Sequence, residues 1–183
     1  MIDSKILQKE LESLPEGGIA LIETSAEKAL EAGLEATKIM TGRGETGIIL
    51  SASRPYENLA ALYLQNGIPI KKTLILDCLT TSAKGKDIPE NVVFLETTSD
   101  LTSMSLEIQK AFEKTSGKRF IFVDSITTFL MYNDATSLAR FIHFVLTKAR
   151  LNSISGILIS LAEGTPQEVR AEIAQLCDKV IKI

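Results

Sequence analysis

The sequence has no tryptophan, one histidine, two cysteines and an aromatic content of only 5% over 183 residues. Each shortage closes off a class of chemistry. Cys78 and Cys177 stand far apart, with no CxxC pair and no histidine pair nearby, so neither a zinc site nor a disulfide framework is indicated. Both are expected to remain reduced thiols. His143 lies among Phe141, Ile142, Phe144 and Val145, with no serine, cysteine or aspartate at a recognisable catalytic spacing. It is expected to be a partly buried structural residue. The G-x-S-x-G elbow of the α/β hydrolases is also missing.

Charge of one sign is scarce too: 20 basic side chains face 23 acidic ones, for a net charge of −3, and both signs are scattered along the chain. That pattern gives no basic footprint for nucleic acid. No apolar run approaches the roughly 18 residues of a membrane span. The opening MIDSKILQKELESL is charged and helix-patterned rather than signal-like. Neither a nucleic-acid nor a membrane partner is expected, and a cytoplasmic location is.

What the chain does have is a 45% hydrophobic content carried largely by Ile, Leu, Val and Ala, the composition of a sheet buried on both faces. Its length suits one domain, 1–183, opened by an N-terminal helix over 1–15. Ile6, Leu7, Leu11 and Leu14 have helical spacing and stop at Pro15 and Gly17-Gly18. That helix either covers its own core or docks on a neighbouring copy. Short apolar runs then recur as strands: Ile19–Ile22, Gly47–Ser51, Thr73–Cys78, Val92–Leu95, Arg119–Asp124 and Gly156–Ser160. The alternating Lys179–Ile183 reads as an edge strand. Between them lie helices: one capped by Thr24 or Ser25 and running to about Met40, one after Pro55, one from Leu101, one from Asp134 to about Leu151 and one over Pro166–Cys177. Thr80–Glu90, with Lys84-Gly85-Lys86, reads as a surface loop, and Tyr132-Asn133-Asp134 as a turn and helix cap. Phe129, Leu130 and Met131 are either buried or part of an association face. Strands of four to six residues alternating with longer helices predict βαβ units: an α/β fold of three α/β/α layers around a mainly parallel sheet.

In such a sheet ligands bind beyond the carboxyl ends of the strands. The residues there are Glu23-Thr24-Ser25, Ser51-Ala52-Ser53-Arg54, Asp77-Cys78, Asp124-Ser125 and Ser160. Asp124 either ligates a metal or caps the next turn through backbone N–H groups. Arg54 either receives an anion at a helix N-terminus or pairs with a surface acid.

The order of elements, the segment RFIFVDSITTFL and the segment GIILSASRPYENLAALYLQNGI resemble the KaiC-like and RadA-like branch of the RecA superfamily, a P-loop-NTPase fold. The resemblance implies that Val123-Asp124-Ser125 stands where the family's Walker B strand holds magnesium. Where the family's phosphate-binding loop would lie, however, the chain has Glu23-Thr24-Ser25-Ala26-Glu27-Lys28, with no glycine before Gly33. A phosphate wrap needs glycines, a lysine and a Ser or Thr. The two acids there repel a triphosphate, and Lys28 without the glycines is a first-turn surface lysine. The acid that follows the family's second strand is replaced by Ser51-Ala52-Ser53-Arg54, the first acid being Glu57. The expectation is therefore a pseudo-ATPase: an inactive RecA/KaiC-like domain that binds a protein partner or self-associates as a regulatory module. ATP, magnesium and any other metal are not expected, Asp124 being the ligand if a relict magnesium site survives. The alternative is a domain that binds a nucleotide or other small anion through Thr24, Ser25, Ser51, Ser53, Arg54, Asp124 and Ser125.

Overall fold

The computed structural model describes residues 2–81, 87–95 and 97–183; the Lys84-Gly85-Lys86 part of the expected surface loop lies outside them. Seven strands form one sheet: β1 (Ile19–Thr24), β2 (Thr46–Ser51), β3 (Thr73–Asp77), β4 (Val92–Phe94), β5 (Arg119–Asp124), β6 (Ser155–Leu161) and β7 (Lys179–Lys182). Their order is β4-β3-β2-β5-β6-β1-β7. Every neighbouring pair is parallel, so the sheet is wholly and not just mainly parallel. The helices are α1 (Ser4–Glu12), α2 (Ala29–Gly42), α3 (Tyr56–Gln65), α4 (Leu101–Lys114), α5 (Ile126–Leu130), α6 (Ala135–Leu151) and α7 (Gln167–Ala174). None among the described residues is long and apolar enough to cross a membrane.

Parallel strands need crossover helices, and those helices cover both faces, so each central strand must be apolar on both sides. In β5, Phe120 and Phe122 join a core with α1, α2 and α3. Ile121 and Val123 join the opposite core with α4, α6 and α7. Such packing leaves little spare room. A Cβ on Gly47 would lie 2.7 Å from the Phe120 ring, so glycine at this strand position makes space for the aromatic side chain.

Three helices begin where an aspartate accepts a backbone N–H: Asp3 from Ile6 (3.2 Å), Asp100 from Ser103 (3.0 Å) and Asp134 from Ser137 (2.9 Å). The α2 start differs from expectation. Thr24 remains in β1, buried beside Leu161, and residues 25–28 make a turn in which the Lys28 N–H donates to the Ser25 carbonyl at 3.1 Å. Neither Thr24 nor Ser25 caps α2, which starts at Ala29 with no side-chain cap. His143 also departs from expectation, since it is exposed. The buried stripe of α6 runs through Leu138, Phe141, Ile142, Val145, Leu146 and Ala149, and His143 faces away from it. The run Phe129-Leu130-Met131 divides, with Phe129 fully buried and Met131 77% exposed.

The first helix packs on its own chain. Leu7 and Leu11 are buried in the α2–α3 core, and Arg43, just after α2, donates to the main-chain carbonyls of Leu11 and Leu14. The same guanidinium pairs with buried Glu45 at 3.1 Å. Burial raises the Glu45 pKa above its ordinary value, against the lowering effects of Arg43 and Lys118. Replacing Arg43 by alanine strands this carboxylate. The Arg43→Ala variant is expected to lose roughly 3 kcal/mol in urea denaturation at neutral pH. Because burial favours protonated Glu45, the loss relative to wild type should shrink as pH falls toward 4.5 and be smallest below it, where the group is protonated folded or unfolded.

Candidate functional site

Three polar residues end neighbouring strands at one level. Ser51 of β2 is in register with Asp77 of β3 on one side and Asp124 of β5 on the other. The residue before each, Leu50, Leu76 and Val123, belongs to the α4–α6–α7 core, so the three polar side chains project to the α2–α3 face.

Two of the three are fully committed to structure. Asp77 is completely buried and accepts from the Tyr56 N–H (2.7 Å), the Leu79 N–H (2.8 Å), the Thr80 N–H (3.0 Å) and the Thr80 hydroxyl (2.6 Å). It thereby caps α3 from another strand and closes the turn after β3. Ser51, also fully buried, donates to the Arg54 carbonyl at 2.7 Å and shapes the β2–α3 connection.

Asp124 is half-buried, and no backbone N–H among the described residues reaches its carboxylate. Burial raises its pKa above the usual carboxylate range, outweighing the lowering by the Arg54 guanidinium and the Ser53 hydroxyl. The expected cap role belongs instead to its neighbour: Ser125 accepts the Thr128 N–H at 3.3 Å and starts α5, following a cis Asp124–Ser125 peptide. Ser53 bonds Thr128 hydroxyl to hydroxyl at 3.2 Å.

Asp124 opens onto a cavity of about 180 Å³ that Ser53, Arg54, Ser125 and Thr128 also line. Its apolar walls come from α2 and α3, with Leu30, Leu34, Leu59 and Tyr63, and its floor from Phe122. Gly33 lets α2 sit close, since a Cβ there would lie 3.1 Å from the Phe122 ring. The cavity stands where the chain diverges. From β2 the path runs through α3, on one face, to β3; from β5 it runs through α6, on the other face, to β6. That divergence opens a crevice between adjacent strand ends.

Of the seven residues that the sequence offers for a ligand, Ser53, Arg54, Asp124 and Ser125 gather at this cavity. Thr24, Ser25 and Ser51 do not line it. Thr24 points into the α2 face with its hydroxyl buried and unpartnered. Glu23 points to the other face, and Lys182 of β7 pairs with it at 3.4 Å. Sequence reasoning missed the cavity walls; the small residues Ala29 and Gly33, one helical turn apart, were their signal. Both thiols are pushed up to about 12 by burial, which keeps Cys78 and Cys177 protonated and poorly nucleophilic. No group of three or more His, Cys, Asp or Glu among the described residues could hold a metal ion.

The wholly parallel sheet between two helical layers is a three-layer α/β/α fold of the RecA/KaiC-like kind. The KaiC-like protein PH0186 of Pyrococcus horikoshii superimposes with a TM-score of 0.66 at 13% identity, over 92% of this chain and 72% of that one. The uncharacterized protein PH0321 of Pyrococcus horikoshii, solved in complex with an unknown peptide, gives a TM-score of 0.69 at 17% identity, over 97% and 82% of the two chains. No curated protein matches. The chain belongs to the Family of unknown function (DUF7504), whose model matches residues 35–183.

The two aspartates at one level should respond oppositely to amidation. Asp77→Asn places an NH2 group against donors and is expected to cost about 3 kcal/mol in urea denaturation, while the exposed Asp87→Asn stays within about 0.5 kcal/mol of wild type. Asp124→Asn removes a desolvated charge, so it should raise the Tm at neutral pH. The raised folded pKa means that the penalty is absent below the ordinary value of 3.8 and grows as pH rises through the folded value. Tm measured against pH should therefore show the advantage of the Asp124→Asn variant opening from acid to neutral pH.

Proposed function

We propose that this domain keeps a KaiC-like fold without triphosphate chemistry and works as a binding or regulatory module, its partner being another protein or a second copy. The observation that carries this reading is the β1–α2 connection. A phosphate wrap needs successive backbone N–H groups turned toward one point, which glycine conformations allow. Here the connection has no glycine, and its Lys28 amide is used within the turn. Thr24 is buried in the α2 face and Glu27 is exposed in the turn itself. The acid Glu23 faces the other way and is paired with Lys182, so of the two acids flanking the turn it is Glu27 that stands exposed there.

Magnesium fits no better. The ion prefers carboxylate and phosphate oxygens in an octahedral shell, whereas Asp124 is a single carboxylate with the Arg54 cation beside it. The peptide in the PH0321 crystal accords with a role in binding a partner. Beside α5, Met131 and the 52% exposed Tyr132 leave apolar surface uncovered.

A second reading, a small ligand at the strand ends, is favoured by the cavity at Asp124. The two readings share the absence of ATP turnover. Purified protein with magnesium and ATP should hydrolyse no faster than its Asp124→Asn variant. It should also show no saturable thermal shift, whereas a ligand at 100 times its Kd adds about 2.7 kcal/mol. Hydrolysis that Asp124→Asn abolishes would overturn the proposal.

A further inference from the structure

The cavity at the β2–β5 divergence has a chemistry of its own, and it is not that of an anion site. Asp124 supplies a carboxylate, Arg54 a guanidinium, and Ser53 and Thr128 supply hydroxyls. The two charges influence each other, yet no hydrogen bond or ion pair among the described residues joins them. Two half-buried charges lining one cavity and not joined to each other each call for a partner of opposite sign. A simple anion would meet Asp124, and a simple amine would meet Arg54. A molecule carrying both charges close together satisfies both.

Size and walls narrow the class further. At roughly 10–15 Å³ per water, the volume of about 180 Å³ holds about 12–18 waters. It falls well short of the roughly 300–1,000 Å³ of sites for drug-sized ligands. Leu30 and Leu34 of α2, Leu59 of α3 and the Phe122 ring offer a small apolar body its complement. Ala26 stands exposed in the turn where this wall meets solvent.

We propose that this cavity binds a free aliphatic α-amino acid as its zwitterion, with the ammonium on Asp124, the carboxylate on Arg54 and the side chain against the α2–α3 wall. The proposal rests on the second reading, a small ligand at the strand ends, and gives that site a ligand class. It also replaces the expected small anion, because the cavity puts a carboxylate beside the arginine.

The test is calorimetric titration of the full chain with alanine, valine and leucine, and with isoamylamine and isovalerate, which each keep one of leucine's charges. At least one amino acid is expected to bind saturably. If it is leucine, both single-charge analogues should bind about tenfold more weakly or not at all. Asp124→Asn and Arg54→Gln should each weaken binding about tenfold or more. Ala26→Trp, at an exposed position on the cavity rim, should block entry while leaving the Tm unchanged. The proposal is overturned if none of the three amino acids binds. It is equally overturned if binding survives Asp124→Asn, or if isoamylamine binds as tightly as leucine. Magnesium and ATP titrated in the same cell report on the loss of triphosphate binding separately, so failure of either idea is visible without the other.

Discussion

Four donors converge on the buried carboxylate of Asp77, and the upper edge of the sheet is arranged around that convergence. By accepting the first amide of α3, Asp77 fixes where that helix begins. The helix then holds Leu59 and Tyr63 over the sheet as one wall of the cavity. Ser51 secures the same connection from below by bonding the Arg54 carbonyl. With these two neighbours satisfied, Asp124 is left as the one member of the row whose charge stays unmatched by backbone donors. A charge partly withdrawn from water without backbone donors is costly. Its place at a crevice between diverging crossovers distinguishes it from Asp77, a structural carboxylate.

The fold was largely readable because its determinants are local and repetitive. Apolar runs such as Phe120–Val123 and Ile157–Ile159 are needed by any strand covered on both faces, and Asp134 marks a helix start by a hydrogen bond spanning three residues. Errors arose where tertiary context decided. Thr24 has good capping chemistry, but pairing of β1 with β6 keeps it in the strand. His143 sits among apolar residues in sequence, yet the period of α6 turns it outward.

The candidate site was half legible. Polar residues after β2 and β5 could be located because parallel sheets gather their strand ends, and Ser53, Arg54, Asp124 and Ser125 do meet at one cavity. Two further facts depend on register, which no single segment encodes. One is that Asp77, Ser51 and Asp124 share a level. The other is that the first two are consumed by local backbone, so residues of similar chemistry have unequal freedom to meet a ligand.

The last strand has a bearing on how copies of this chain could meet. A lone edge strand invites another chain to continue the sheet. In β7, Lys179 reaches back to Glu10 and Ser13 beside α1, and Lys182 to Glu23 on β1. Both lysines are thus tied to acids of the same chain, so a newcomer laying a strand along this border would crowd two anchored side chains or pull them from their partners. This border of the sheet is consequently poorly fitted to grow into a continuous ribbon.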